Sequence, residues 1–175
     1  MQEKFEIRLS GSGGQGLILS SIILAEAATL DGYFVTQTQS YGPEARGGAS
    51  RAEVIISYYP IDYPLVRTPD IFLALMEEAY EKYSYDLHEK GMVIIDDSIN
   101  GKVYRSHVSS YPILETARNQ LQSPISANMI CLGVLAKFNI PVKSDSIAEC
   151  IQRRVPPHTR DINIKAFRLG KDMVK

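Results

Sequence analysis

Phe5-Glu6-Ile7-Arg8-Leu9-Ser10-Gly11-Ser12-Gly13-Gly14-Gln15-Gly16-Leu17 decides the fold of this 175-residue chain. Phe5, Ile7 and Leu9 alternate with Glu6 and Arg8 at the period of a β-strand. Gly11, Gly13 and Gly16 then satisfy G-x-G-x-x-G, and the apolar run that follows reads as a helix from Leu17 to Leu30, stopped by Asp31-Gly32. A strand feeding a glycine turn and a helix opens an α/β unit whose ligands lie beyond the carboxyl ends of its strands. At such a turn backbone N–H groups approach an anion at the positive end of the helix, and Ser12 adds a hydroxyl donor, so a phosphate or pyrophosphate is the expected ligand. The competing reading is that the glycines serve only close packing of strand against helix.

Working outward, Tyr33 to Thr38 reads as a second strand and Arg51 to Ser57 as a third, separated by a glycine-rich loop from Ser40 to Gly48. Pro60, Pro64 and Pro69 punctuate the connection to Ile71-Phe72-Leu73-Ala74-Leu75, which is apolar throughout, as in a strand covered on both faces. A helix over Glu77 to His88 and a buried strand at Met92 to Asp96 follow, with a further edge strand over Val103 to Val108 and a helix opened by Pro112. Helices over Ala127 to Phe138, Ser144 to Arg154 and Asp161 to Met173 complete the chain, broken by Pro141 and by Pro156-Pro157. The expectation is one domain over residues 1–175: a three-layer α/β fold with a largely parallel, Rossmann-like sheet and a helical C-terminal part.

A charged fraction of 22% and a formal net charge of −1 give no electrostatic case for nucleic acid or an anionic membrane. The apolar stretch Leu17 to Leu24 is too short to span a bilayer. The N-terminus lacks the basic and apolar regions of a signal peptide, so a cytoplasmic location is expected. Cys131 and Cys150 are the only cysteines, too few for a disulfide framework, a four-thiolate zinc site or an iron–sulfur cluster.

Two common readings of the glycine turn fail on the residues around it. Dinucleotide binding calls for an acid at the end of the second strand, where this chain has Thr36-Gln37-Thr38-Gln39; Asp31 comes before that strand and Glu44 well after it. A phosphate loop of the NTPases calls for Gly-Lys-Ser/Thr where Gln15-Gly16-Leu17 stands.

The second glycine segment, Tyr41-Gly42-Pro43-Glu44-Ala45-Arg46-Gly47-Gly48, puts an acid, a base and a phenol into one loop between two strands. Together the two segments, in their order and spacing, resemble the gamma subunit of the 2-oxoacid:ferredoxin oxidoreductases, the pyruvate/ketoisovalerate oxidoreductase catalytic domain. The likeness extends to Asn128-Met129-Ile130-Cys131-Leu132-Gly133 and to Asn163-Ile164-Lys165-Ala166-Phe167-Arg168-Leu169-Gly170, and so to nearly the whole chain.

That resemblance implies a hetero-oligomeric enzyme that oxidatively decarboxylates a 2-oxoacid to an acyl-CoA and passes electrons to ferredoxin or another acceptor. The expected substrate is 2-oxoglutarate, with pyruvate, a branched-chain oxoacid or indolepyruvate as alternatives. This chain has neither the Gly-Asp-Gly signature of a thiamine diphosphate and magnesium site nor a cysteine cluster. Thiamine diphosphate, magnesium and iron–sulfur clusters are therefore expected on partner subunits: alpha, beta and a ferredoxin-like one. The resemblance places Gly11, Ser12, Gly13, Gly14, Gln15 and Gly16 around the phosphates of coenzyme A. It places Tyr41, Gly42, Glu44, Arg46, Gly47 and Gly48 in the wall of the thiamine site, with no catalytic residue and no metal ligand on this chain. Arg46 is alternatively a bidentate partner for a carboxylate or phosphate, and Glu44 with Arg46 a solvated ion pair. A free-standing nucleotide- or flavin-binding enzyme and a purely structural assembly subunit are the other functional classes.

The remaining polar residues read as structural. Asp96 and Asp97 suit a turn or cap better than a magnesium site or an acid/base pair. His88, His107 and His158 lack metal-ligand spacing. Arg153, Arg154, His158 and Arg160 read as a solvated helix end, and Tyr58, Tyr59 and Tyr63 suit a protein interface.

Overall fold

β1 (Lys4–Ser12) is the spine of the computed structural model, which describes residues 3–40, 48–88, 90–99 and 107–175. Along its whole length it pairs antiparallel with β3 (Ala49–Ser57), and on its other side it pairs parallel with β4 (Ile71–Ala74). With β2 (Phe34–Ser40), β5 (Met92–Asp96) and β6 (Val108–Tyr111) the strand order is β2-β3-β1-β4-β5-β6. β4, β5 and β6 run parallel to β1, and β2 shares their direction because it is antiparallel to β3. The sheet is thus largely parallel, with β3 alone reversed. The physical reason is the link from β2: the eight residues between Ser40 and Ala49 are too few for a crossover helix, so β3 turns back beside β2. It then separates β2 from β1.

The helices are α1 (Leu17–Leu30), α2 (Glu77–Tyr83), α3 (Ile113–Asn119), α4 (Ala127–Leu135), α5 (Ser144–Arg154) and α6 (Arg160–Met173). Ile7, Leu9, Val54, Ile56, Leu73 and Ile94 form one sheet face and pack in the same core as α1 and the C-terminal helices. Phe72, Ala74, Val93 and Ile95 form the other face with Ala79 and Tyr83 of α2. The three layers expected from the alternation of strands and helices are present.

Two expectations are adjusted. α2 ends at Tyr83 rather than His88, because Arg8 Nη1 takes the Tyr83 carbonyl at 2.9 Å and turns the chain there. The last strand is Val108–Tyr111, and residues 103–106 of the expected strand lie outside the described residues. Arg8, on the polar face of β1's alternation, is fully buried. Its Nε donates to Glu53 Oε1 at 2.6 Å and its Nη1 and Nη2 to the two carboxylate oxygens of Asp86. Burial works against its charge, yet the hydrogen bonds and charges of Asp86 and Glu53 hold its pKa above the ordinary arginine value.

α4 is buried throughout, and it crosses α6 at two glycines. A Cβ on Gly133 would collide with the Phe167 carbonyl oxygen, and one on Gly170 with the Ile130 carbonyl oxygen. Both cysteines are buried packing residues in helices, Cys131 in α4 and Cys150 in α5, and burial pushes both thiols up in pKa. Among the described residues no helix is long and apolar enough to cross a membrane.

Candidate functional site

The antiparallel register of β1 and β3 brings Gly48, the last residue of the second glycine segment, beside the end of the first. Gly11 pairs with Ser50 and Ser12 with Ala49, so Gly48 directly precedes the residue opposite Ser12. Ser50 Oγ also donates to the Gly11 carbonyl at 3.2 Å. Because β3 starts where β1 ends, the first segment and Gly48 occupy the carboxyl edge of the parallel strands, the edge where α/β sheets bind ligands. Tyr41, Gly42, Glu44, Arg46 and Gly47 lie outside the described residues; Gly48 is described and half-buried.

Within the first segment the residues divide their work. Gly11 is buried at the end of β1, where a Cβ would collide with Gln15 Oε1. The Gln15 side chain folds back so that Oε1 accepts the Ser12 N–H at 2.7 Å, while the Gln15 N–H closes the turn on the Ser12 carbonyl at 3.1 Å. The Ser12 amide is therefore already spent. Gly13 and Gly14 stand exposed, and a methyl group added at either position would meet only open space. Gly16 starts α1 at φ 72°, a left-handed conformation that disfavours any side chain. α1 has no side-chain cap and no acidic residue in its first turn. Exposed Gly13 and Gly14 thus stand beside the uncapped first turn of α1, whose N–H groups have no partner within the helix.

Two residues behind this turn were assigned no role from the sequence. Asn128, nearly fully buried in the first turn of α4, donates Nδ2 to the Gly16 carbonyl at 3.4 Å, and its own carbonyl accepts Ser20 Oγ at 2.9 Å. Asn128 Oδ1 is buried without a hydrogen-bond partner. A polar side chain inside an otherwise apolar helix segment was the available signal for it. Tyr83, buried at the end of α2, donates its hydroxyl to the Ala49 carbonyl at 3.0 Å and so fixes the start of β3 opposite Ser12. Tyr83→Phe is expected to cost about 1–2 kcal/mol, the loss of one buried hydrogen bond with its acceptor left unpaired, read as a lowered urea midpoint at unchanged m.

The other polar candidates are engaged structurally. Asp96 accepts the Leu114 N–H at 2.8 Å and the Ser98 N–H at 3.0 Å, tying β5 to the start of α3. Exposed Asp97 is raised in pKa by partial desolvation and by the Asp96 charge. Asp31 lies at the far end of α1, where it accepts the Lys143 N–H at 2.6 Å and Ser146 Oγ at 2.7 Å, so it is unavailable to a ribose. His88, His107 and His158 are exposed, and no group of His, Cys, Asp and Glu among the described residues is arranged to hold a metal. Arg154 forks onto Glu26 across α5 and α1, closing the rim of a cavity of about 570 Å³ over Ile22, Ala25, Val35 and Cys150. That cavity runs along α1 away from the glycine turn.

Comparison with known proteins places this geometry. The family model described as pyruvate ferredoxin/flavodoxin oxidoreductase matches residues 6–173. The 2-oxoglutarate synthase subunit KorC of Methanocaldococcus jannaschii is 44% identical over 175 residues, covering 97% of this chain and 94% of the relative. The crystal structure of the keto/oxoacid ferredoxin oxidoreductase gamma subunit from Geobacter sulfurreducens superimposes with a TM-score of 0.90 at 39% identity, covering 98% of this chain and 97% of that one. The 2-oxoglutarate:ferredoxin oxidoreductase of Magnetococcus marinus, solved with 2-oxoglutarate, coenzyme A and succinyl-CoA bound, shares the fold at a TM-score of 0.87 and 24% identity, over 99% of this chain and 31% of that one. With the family model spanning nearly all of the chain and two full-length relatives near 40% identity, this protein belongs to the pyruvate ferredoxin/flavodoxin oxidoreductase family, as a subunit of the gamma type.

Proposed function

We propose that this chain is the gamma subunit of a 2-oxoglutarate:acceptor oxidoreductase and that its first glycine turn holds a phosphate of coenzyme A. The observation that carries the site is the start of α1: a left-handed Gly16, no capping side chain, and Gly13 and Gly14 open to solvent. An uncapped helix start offers free N–H donors and a positive partial charge, which suits a polyphosphate ligand. Coenzyme A, when bound, supplies the thiol that accepts the acyl group. The residues of this chain bind and orient it: Gly13, Gly14 and the first turn of α1 donate to phosphate, while Gln15 and Asn128 brace the turn from within.

The second segment belongs in this reading to the wall of the thiamine diphosphate site. Tyr41, Gly42, Glu44, Arg46, Gly47 and Gly48 stand in that wall, and the pairing of Ser12 with Ala49 supports it by setting Gly48 beside the coenzyme A turn. Thiamine diphosphate, magnesium and the iron–sulfur clusters belong to alpha, beta and ferredoxin-like partners. The likeness to 2-oxoglutarate synthase subunits supports 2-oxoglutarate as the oxoacid.

The test is reconstitution. Purified alone, the chain is expected to turn over no oxoacid; added to partner subunits lacking it, it restores oxoacid-dependent, coenzyme A-dependent acceptor reduction. Turnover by the isolated chain, or full activity of the partners without it, contradicts the proposal.

A further inference from the structure

The amino edge of the parallel strands carries an aromatic corner. Lys4 of β1 pairs with Ser57 of β3, and Ser57 pairs with Phe34 of β2, so the residues one step beyond this row, Glu3, Tyr58 and Tyr33, stand side by side. Side chains alternate along a strand, which puts Glu3 on the face of Phe5, Tyr58 on that of Ile56 and Tyr33 on that of Val35. Phe5, Ile56 and Val35 form the next row and pack with the helical layer.

Backbone bonds hold the corner in place. The Tyr58 N–H donates to the Glu3 carbonyl at 3.2 Å, and the Tyr33 N–H donates to the Ala28 carbonyl at 3.1 Å across the left-handed turn at Gly32, whose φ is 90°. The Tyr33 and Tyr58 rings meet edge to face, with centroids 5.0 Å apart and planes at 63°, and the Tyr33 hydroxyl bonds that of Tyr58 at 3.3 Å. With Phe5 and Ile56 they line a cavity of about 270 Å³, closed on its other side by Asn139, Ile140 and Pro141 after α4. Asp31 accepts the Lys143 N–H and so ties that turn to the end of α1, two residues before Tyr33.

The chemistry of the cavity selects its ligand. Three aromatic rings line it, with Glu3 exposed at its margin. Among the described residues, arginine and lysine groups lie over Tyr63, Tyr83, Tyr85 and Phe167, and none lies over Phe5, Tyr33 or Tyr58. The Tyr33 phenol is raised in pKa by its hydrogen bond to Tyr58, by desolvation and by the Tyr58 and Asp31 charges, so the ring stays neutral. Lys143, the ion-pair partner of Asp31, leaves 80% of its side chain in solvent. A methylated ammonium carries its charge on a skin of methyl groups, so it gains apolar contact and attraction to the ring quadrupoles together. An anion would meet the Glu3 carboxylate. The volume falls just below the roughly 300–1,000 Å³ of pockets for drug-sized ligands, which leaves room for a head group and a short tail.

We propose that Phe5, Tyr33, Tyr58 and Glu3 form an aromatic cage that binds a small methylated ammonium compound. The cage lies at the edge of the sheet opposite the glycine turn, so it is a second site and independent of the coenzyme A reading.

The test is calorimetric titration of the full 175-residue chain, and of the reconstituted complex, with tetramethylammonium and with choline. The control ligand is the uncharged isostere of choline in which a quaternary carbon replaces the nitrogen. Saturable binding of one cation per chain is expected, with the isostere at least about fivefold weaker, because it keeps the shape and lacks only the charge. Tyr58→Leu and Glu3→Gln change exposed side chains and are expected to melt as wild type, weakening choline at least about fivefold and about twofold. The isostere comparison needs no variant and stands even if one fails to fold. Absence of saturable binding by either cation, equal affinity for the isostere, or unchanged choline affinity in folded Tyr58→Leu overturns the proposal. Binding by the chain that disappears in the complex overturns it as well, since the cage is then covered by protein rather than open to a free ligand.

Discussion

Arg8→Met is expected to lower stability by about 3–5 kcal/mol, which for a chain of this size is a fall in Tm of roughly 10 °C or more. Arg8 is fully buried in the central strand, and its guanidinium joins Glu53 of β3 to Tyr83 and Asp86 at the end of α2. Methionine fills much of the same volume but leaves the Glu53 carboxylate, itself only 4% exposed, without its strongest partner. The cost is that of the stranded charge more than of the lost attraction. Arg8→Met combined with Glu53→Gln is therefore expected to recover a substantial part of the loss. A double variant no more stable than the single one would show that packing, not charge, dominates. Chemical denaturation of the four combinations measures this directly.

Gly133→Ala and Gly170→Ala are each expected to cost at least about 3 kcal/mol, although alanine is the better helix former by nearly 1 kcal/mol. At both positions the new Cβ runs into a backbone carbonyl of the facing helix, which cannot rotate away as a side chain can. α4 and α6 must then separate, opening the core around Ile130, Cys131 and Phe167. Gly14→Ala supplies the control, because nothing lies within 4 Å of its Cβ position, and its stability is expected to stay within about 0.5 kcal/mol of wild type. Equal melting of Gly133→Ala and Gly14→Ala would mean that the helices are not in backbone contact.

The same residues show what was legible in the sequence. α1 was readable at both ends, Leu17 and Leu30, because a glycine turn opens it and Asp31-Gly32 closes it: local chemistry sets local boundaries. α5 and the start of α4 were readable for similar reasons, as were the glycine turn and its position after a strand. The insertion of β3 between β1 and β2 was not, since strand order depends on pairings dozens of residues apart. Alternation along β1 placed Arg8 on the correct face but said nothing of what covers that face. Asp86 and Tyr83, which cover it, are remote in sequence. Likewise Asn128 and Gly133 were visible as family-like segments, while their work, bracing Gly16 and meeting Gly170, appears only when α1, α4 and α6 converge. The site was thus legible where one turn supplies it and illegible where a second element supports it.

Coenzyme A titration of the reconstituted complex carrying Gly13→Val tests the central claim most directly. Gly13 has a φ outside the left-handed region and no neighbour within 4 Å of its Cβ position, so valine disturbs the anion-facing surface without a clash inside the subunit. The account predicts normal assembly and melting, kcat near wild type and a coenzyme A KM raised at least about tenfold, the effect of weakening a charge-assisted phosphate contact. An assembled Gly13→Val complex with the wild-type coenzyme A KM would contradict it.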